Sequence, residues 1–212
     1  MRLVRLLVLP LKCAALLAVS AIALPDAKLD PGQVALDVDN DHTTIAFTAP
    51  ILHGLSAVEG KFLDYKVNVT LDEKDLTHSS VNAVIKTTSV DTNIAQRDRH
   101  LRSSAFFDVA KYPEMTFKSS EIKHEGDHYL ATGDFFLHGV TKKIAIPFTP
   151  TGTFVAKKFG LQYYGYEAHL KINRKDYGMN WMHEKWIPEW VADVIQVDLH
   201  VFATKPIAKS DG

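Results

Sequence analysis

Apolar and polar residues alternate along much of this chain. Leu63, Tyr65, Val67, Val69 and Leu71 interleave with Asp64, Lys66, Asn68, Thr70 and Asp72 in the stretch Lys61 to Asp72. Strict period two places one set of side chains on each face of a strand, one apolar and one wet. The pattern returns near the end, where Ile195, Val197, Leu199 and Val201 alternate with Gln196, Asp198 and His200. Shorter versions occur at Ile144, Ile146 and Phe148, and at Ala168, Leu170 and Ile172. Further strands are expected at 34–39, 42–49, 79–88, 114–123, 128–138 and 160–174, separated by turn signals such as Asn40-Asp41, Asp72 to Asp75, Gly126-Asp127, Gly139 and Gly152.

Only Asn93 to Ser104 reads as a helix, with Asp91 or Asn93 to cap it and Leu101 and Ala105 four apart. A second short helical turn is expected near Glu184 to Trp190. The joint that follows the first helix, Phe106-Phe107-Asp108 to Tyr112-Pro113, combines an aromatic pair with a rigid turn. The chain is therefore all-β, about eight long antiparallel strands with one short helix between strands. A strand of a dozen residues spans roughly 40 Å. Eight such strands can close into an extended barrel, and a two-sheet sandwich is the competing geometry.

The first residues stand apart from this pattern. Arg2 and Arg5 precede the apolar run Cys13 to Leu24, and Ala21-Ile22-Ala23 is an A-x-A site. That is the layout of a secretory signal peptide over residues 1–23. Pro10 and Lys12 interrupt the run too early for a spanning helix, which needs roughly 20 apolar residues. Lys12 also sits where a lipobox before Cys13 would need a small residue. Residues 24–36 then form a tail and the start of the first strand, 37–204 the barrel domain, and 205–212 a second tail. Once cleaved, the exported chain is expected to make no stable membrane insertion.

Cleavage removes the one cysteine and leaves 21 Lys+Arg against 25 Asp+Glu, a net charge of −4. An exported chain without disulfides must be held by its core. The charge argues against nucleic acid and against electrostatic attraction to anionic membranes. Whether the chain forms a homodimer is open at this level.

Candidate chemistry is sparse. Among ten histidines no His-x-His occurs, and His183-Glu184 fails the H-E-x-x-H zinc motif because residue 187 is Ile. No G-x-S-x-G or phosphate-cradling glycine loop appears. Neither a catalytic residue, a metal ligand nor a cofactor site is expected. Trp181, Trp186 and Trp190 form either a packed cap over one barrel end or an apolar lip at a pocket mouth. Arg97, Arg99, His100 and Arg102 form either a solvated helix face or a contact for a polar head group.

The motifs Asp39-Asn40-Asp41-His42-Thr43-Thr44-Ile45-Ala46-Phe47, Val58-Glu59-Gly60-Lys61-Phe62, Arg97 to Ser103 with Phe106-Phe107-Asp108 and Tyr112-Pro113, Gly133 to Lys142, and Asn173 to Gly178 follow in order. Together, over about residues 38 to 203, they resemble the YceI family of lipocalin-like, polyisoprenoid-binding proteins. The resemblance implies an extended eight-stranded lipocalin-like barrel, exported to the periplasm, that holds a long isoprenoid chain in its lumen. It brings no catalytic residues. The expected ligand-binding positions are Leu63, Tyr65, Val67, Val69, Leu71, Phe106, Phe107, Phe117, Ile195, Val197, Leu199 and Val201. Arg97, His100 and Arg102 are the expected head-group contacts. The alternative is a filled barrel acting through its surface as a stress-related interaction module without a bound lipid.

Overall fold

The computed structural model describes residues 29–181 and 190–207. The expected signal peptide lies outside them, as does all of the second helical turn except Trp190. In chain order the strands are β1 (Gln33–Val38), β2 (Thr44–Ile51), β3 (Ser56–Phe62), β4 (Tyr65–Asp72), β5 (Ser80–Lys86), β6 (Val90–Asp91), β7 (Glu114–Glu125), β8 (His128–Leu137), β9 (Val140–Ala156), β10 (Leu161–Asn173) and β11 (Val194–Pro206). The helix α1 (Ala95–Arg102) lies between β6 and β7.

Three pairs of these strands act as single lanes with a break. β2 and β1 lie end to end along β11, paired through residues 196–200 and 203–204 respectively. β3 pairs with β2, and β4 with β1. β6 pairs with β3, and β5 with β4. With β7 to β11 the lanes number eight, all antiparallel, and the pairing of β1 with β11 closes the ring. Closure removes the two free edges that a sandwich would keep, so the barrel and not the sandwich is the architecture.

The long strand expected from Lys61 to Asp72 is broken at Leu63-Asp64. Leu63 donates its N–H to the carbonyl and hydroxyl of Ser89 instead of a neighbouring strand. The break resets the alternation: Phe62 and Tyr65, three residues apart, both pack on the main core. Leu63 is left 59% exposed. Similarly, the strand expected over 79–88 gives way after Lys86 to a short 3-10 turn, Thr87–Ser89. The short strand expected at 144–148 belongs to β9, which has 17 residues. At the far end β11 continues through Lys205 and Pro206, which lie in the barrel wall and not in a tail.

α1 and the aromatic joint close one end of the barrel. Neither Asp91 nor Asn93 caps α1; the cap position is Ile94, without a side-chain bond. The start is secured from inside the helix, where buried Asp98 accepts from the Thr92 N–H (2.9 Å) and hydroxyl (2.5 Å). Arg97 donates to the Thr92 hydroxyl and carbonyl. After the helix, the Phe106 and Phe107 N–H groups bond to the Ser103 and Leu101 carbonyls, which turns the chain back. Thr87, 1% exposed, then ties the joint to the wall through the Pro113 and Tyr112 carbonyls.

Candidate ligand cavity

The inward faces of the lanes do not meet. They enclose a cavity of about 530 Å³, far above the water-sized voids of a packed interior and within the range of small-molecule sites. The wall is aliphatic and aromatic by the alternation of its strands. β11 supplies Ile195, Val197, Leu199 and Val201, and β10 supplies Tyr166, Ala168, Leu170 and Ile172. β9 adds Ile144, Ile146 and Phe148. The polar residues of the lining are Arg97, His100 and Arg174 beside α1, Ser79 and Ser80 at the other end, and Glu167 on β10.

Most of the expected positions line this space: Val67, Val69, Leu71, Phe106, Phe107, Phe117 and the four β11 residues. Leu63 does not, because the lane break turns it to solvent. Tyr65 does not either; its ring packs on the core and its hydroxyl donates to the Thr43 carbonyl at 2.6 Å. Arg97 and His100 reach the cavity. Arg102 is a correction: its guanidinium donates to the Thr88 and Val90 carbonyls (2.7 and 2.6 Å), so it clamps α1 to the wall.

The α1 end has an aromatic rim. The Phe106 ring lies 4.9 Å from Trp181, and His100 stands edge-on to both, at 5.2 and 4.9 Å. Phe107 meets Phe62 edge-on at 5.6 Å. Each phenylalanine of the joint therefore both packs on protein and faces the cavity. Trp181 and Trp190 line the cavity, and Trp190 stays 40% exposed. Trp186 lies outside the described residues.

Arg174 organises this rim and was given no role by its sequence pattern. It is 6% exposed. It donates to the carbonyls of Met179 (2.5 Å), Ala192 (3.1 Å), Val191 (3.3 Å) and Trp181 (3.4 Å), and to the Asp193 carboxylate (3.3 Å). Burial lowers its pKa and the Asp193 charge opposes that; a guanidinium remains charged under these conditions. One side chain thus holds both ends of the β10–β11 connection. A buried arginine cannot be told from a surface one by spacing alone.

The opposite end is latched by a polar triad. The Tyr164 hydroxyl donates to Glu73 at 2.5 Å, and the second Glu73 oxygen accepts from Lys205. These bonds hold the Glu73 carboxyl below its ordinary range. Inside the barrel, burial first and the Glu73 charge second push the Tyr166 phenol up to about 12. The Tyr164 ring packs in one cluster with Leu36, Leu71 and Ala203.

Among the described residues no group of three or more His, Cys, Asp or Glu side chains is arranged to hold a metal ion. No helix among them is long and apolar enough to cross a membrane.

The fold and cavity define a class: a closed antiparallel barrel with an unfilled apolar lumen. The chain belongs to the YceI-like domain family, whose pattern matches residues 36–203. It is 40% identical over 144 residues to protein YceI of Escherichia coli O157:H7, covering 68% of this chain and 74% of that protein. Its fold is similar to that of BcnA from Burkholderia cenocepacia (TM-score 0.69, 23% identity, 79% of this chain and 99% of that one). It is also similar to a polyisoprenoid binding domain from Saccharophagus degradans implicated in plant cell wall breakdown (TM-score 0.54, 17% identity, 84% and 100%). At these identities the two structures speak to the fold.

Proposed function

We propose that this protein is a periplasmic binding or carrier protein for a long-chain isoprenoid lipid, a polyprenyl or quinone tail, held in the barrel lumen. The observation that carries this reading is the cavity of about 530 Å³, walled by aliphatic and aromatic side chains from every long strand of the barrel. Such a wall recognises an apolar chain and little else. Burying one CH₂ contributes ~0.8 kcal/mol, so a five-carbon unit contributes about 3–4 kcal/mol before ordering costs. An apolar tube counts methylenes weakly, so discrimination falls to the head group. Arg97 and His100, at the α1 end, are the side chains placed to meet it. The name of the Saccharophagus degradans domain supports the same ligand class. The apolar run Cys13 to Leu24 with its A-x-A site supports export.

The test is native mass spectrometry of protein purified from its own host, paired with uptake of a fluorescent polyprenyl probe. A co-purifying mass that fits an isoprenoid series, displaced by the probe, is the expected result. An empty protein that takes up no probe would overturn the reading.

A further inference from the structure

In the β9–β10 hairpin, the β9 arm runs past the end of β8, whose ladder with it stops at Phe148, while the β10 arm stays paired with β11 as far as Leu161. Gly165 faces Gly152 but Tyr166 faces Pro150, so Thr151 is bulged out of the ladder. Bulges bend and twist the strand that carries them. Beyond this one, residues 151–155 and 157–159 are all exposed, whereas a strand in the wall would keep alternate residues covered.

What the tip exposes is apolar. Phe154 and Phe159 are each 68% exposed and Val155 is 45% exposed. An aromatic row continues from it over the outer wall: Phe154 lies 6.4 Å from Tyr163, and Tyr163 stacks on Phe202 at 5.4 Å. Lys157 and Lys158 sit between the exposed rings, the second with its ammonium 5.8 Å from the Phe159 ring centre. From Thr149 to Tyr166 the chain has no acidic residue. The expected charge of −4 belongs to the whole body, and the tip carries the opposite sign. Glu73, at the same end of the barrel, is engaged by Tyr164 and Lys205.

We propose that this hairpin tip docks on a lipid bilayer, with Phe154, Val155 and Phe159 entering the acyl boundary and Lys157 and Lys158 meeting anionic head groups. Exposed rings flanked by lysines suit that interface, where apolar side chains sink and ammonium groups stay with phosphate. A second copy of this chain suits it less. A two-fold contact brings each patch against itself, so the lysine pairs of both copies would face each other. The proposal does not depend on what the lumen holds.

The purified protein is sedimented with phosphatidylcholine vesicles, with and without phosphatidylglycerol. Wild type partitions onto both, and more strongly with phosphatidylglycerol. The Phe154→Ser/Phe159→Ser double variant partitions at least ~30-fold more weakly on either. Lys157→Gln/Lys158→Gln loses its preference for phosphatidylglycerol, roughly tenfold, as does wild type at high salt. Circular dichroism shows the variants folded, and polyprenyl uptake from detergent is unchanged in all of them, which separates this test from that of the lumen. No partitioning by wild type, or equal partitioning by the phenylalanine variant, would overturn the proposal. So would a dimer, seen by light scattering, that the phenylalanine variant alone dissolves while vesicle binding is absent.

Discussion

Phe47 on β2 stands directly across from Gly60 on β3, and its ring fills the space that a side chain on Gly60 would need. A Cβ built on Gly60 would come within 2.4 Å of that ring and 2.7 Å of the Thr92 methyl. Phe47 also faces the cavity, so the missing side chain of Gly60 sets the shape of the lumen wall beside α1. Gly60→Ala should destabilise the protein by about 1–3 kcal/mol, the range for overpacking. Phe47→Leu in the same chain should recover part of that loss. A double-mutant cycle in urea checks the coupling; strictly additive effects would mean the ring simply moves aside.

Val197 lies on β11, within the cavity wall, with Ile195 and Leu199 on the same face. Val197→Phe adds a ring where there is open volume and not packed protein. The expected result is a melting temperature within a few degrees of wild type together with loss of most polyprenyl uptake. A variant that melts as wild type and binds as wild type would mean the ligand sits elsewhere.

Arg174 is the group whose loss should be felt most. Arg174→Met leaves the Met179 and Ala192 carbonyls without this donor and reduces the ion pairing of Asp193 to that with Lys175. A cost of about 3 kcal/mol is expected from such a buried, charged network. Arg174→Lys should recover little, because an ammonium lacks the planar fork that reaches several acceptors. Hydrogen exchange offers a local readout. The Leu52 amide bonds to the Trp190 carbonyl and the Ala192 amide to Pro50, and both should exchange faster in the variant.

At the other end, Glu73 makes stability depend on pH. Its carboxyl is held below its ordinary value of 4.5 by bonds from Lys205 and Tyr164. A depressed carboxylate stabilises the fold above its unfolded pKa, and that contribution fades as pH falls through the folded value. Wild type should therefore be more stable than Glu73→Gln at pH 7. The gap should narrow only below about pH 4.5. Melting curves of both proteins across that range give the answer, and a gap that does not change with acid would exclude the ionised latch.

Much of the barrel is legible in the alternation of the chain. The pattern at 195–201 marks the inward face of β11 correctly, and the same reading of Val67, Val69 and Leu71 puts three side chains into the lumen. It fails at Leu63, because a period-two pattern carries straight through a lane break that only the bond to Ser89 reveals. It fails at Arg102 for a related reason: a basic residue beside a candidate pocket has the same letter whether it faces a ligand or the carbonyls of Thr88 and Val90. The alternation at Ile144, Ile146, Phe148, Leu170 and Ile172 marks strands, and only the closed ring makes these side chains lumen wall. For Arg174 there was no signal in spacing, since its acceptors come from both sides of the β10–β11 connection.

By itself, the sequence determined the all-β class, the inward face of β11 and of Val67 to Leu71, the helix before β7 and the family. Each of these rests on local periodicity or on motifs along one segment. The tertiary structure decided that three lanes are broken, that the ring closes at eight, and that its inner faces stand apart around open volume. A strand's alternation says which side chains point inward. How far apart they end depends on how many lanes close the ring and how each side chain meets those across it, and no single segment contains that distance.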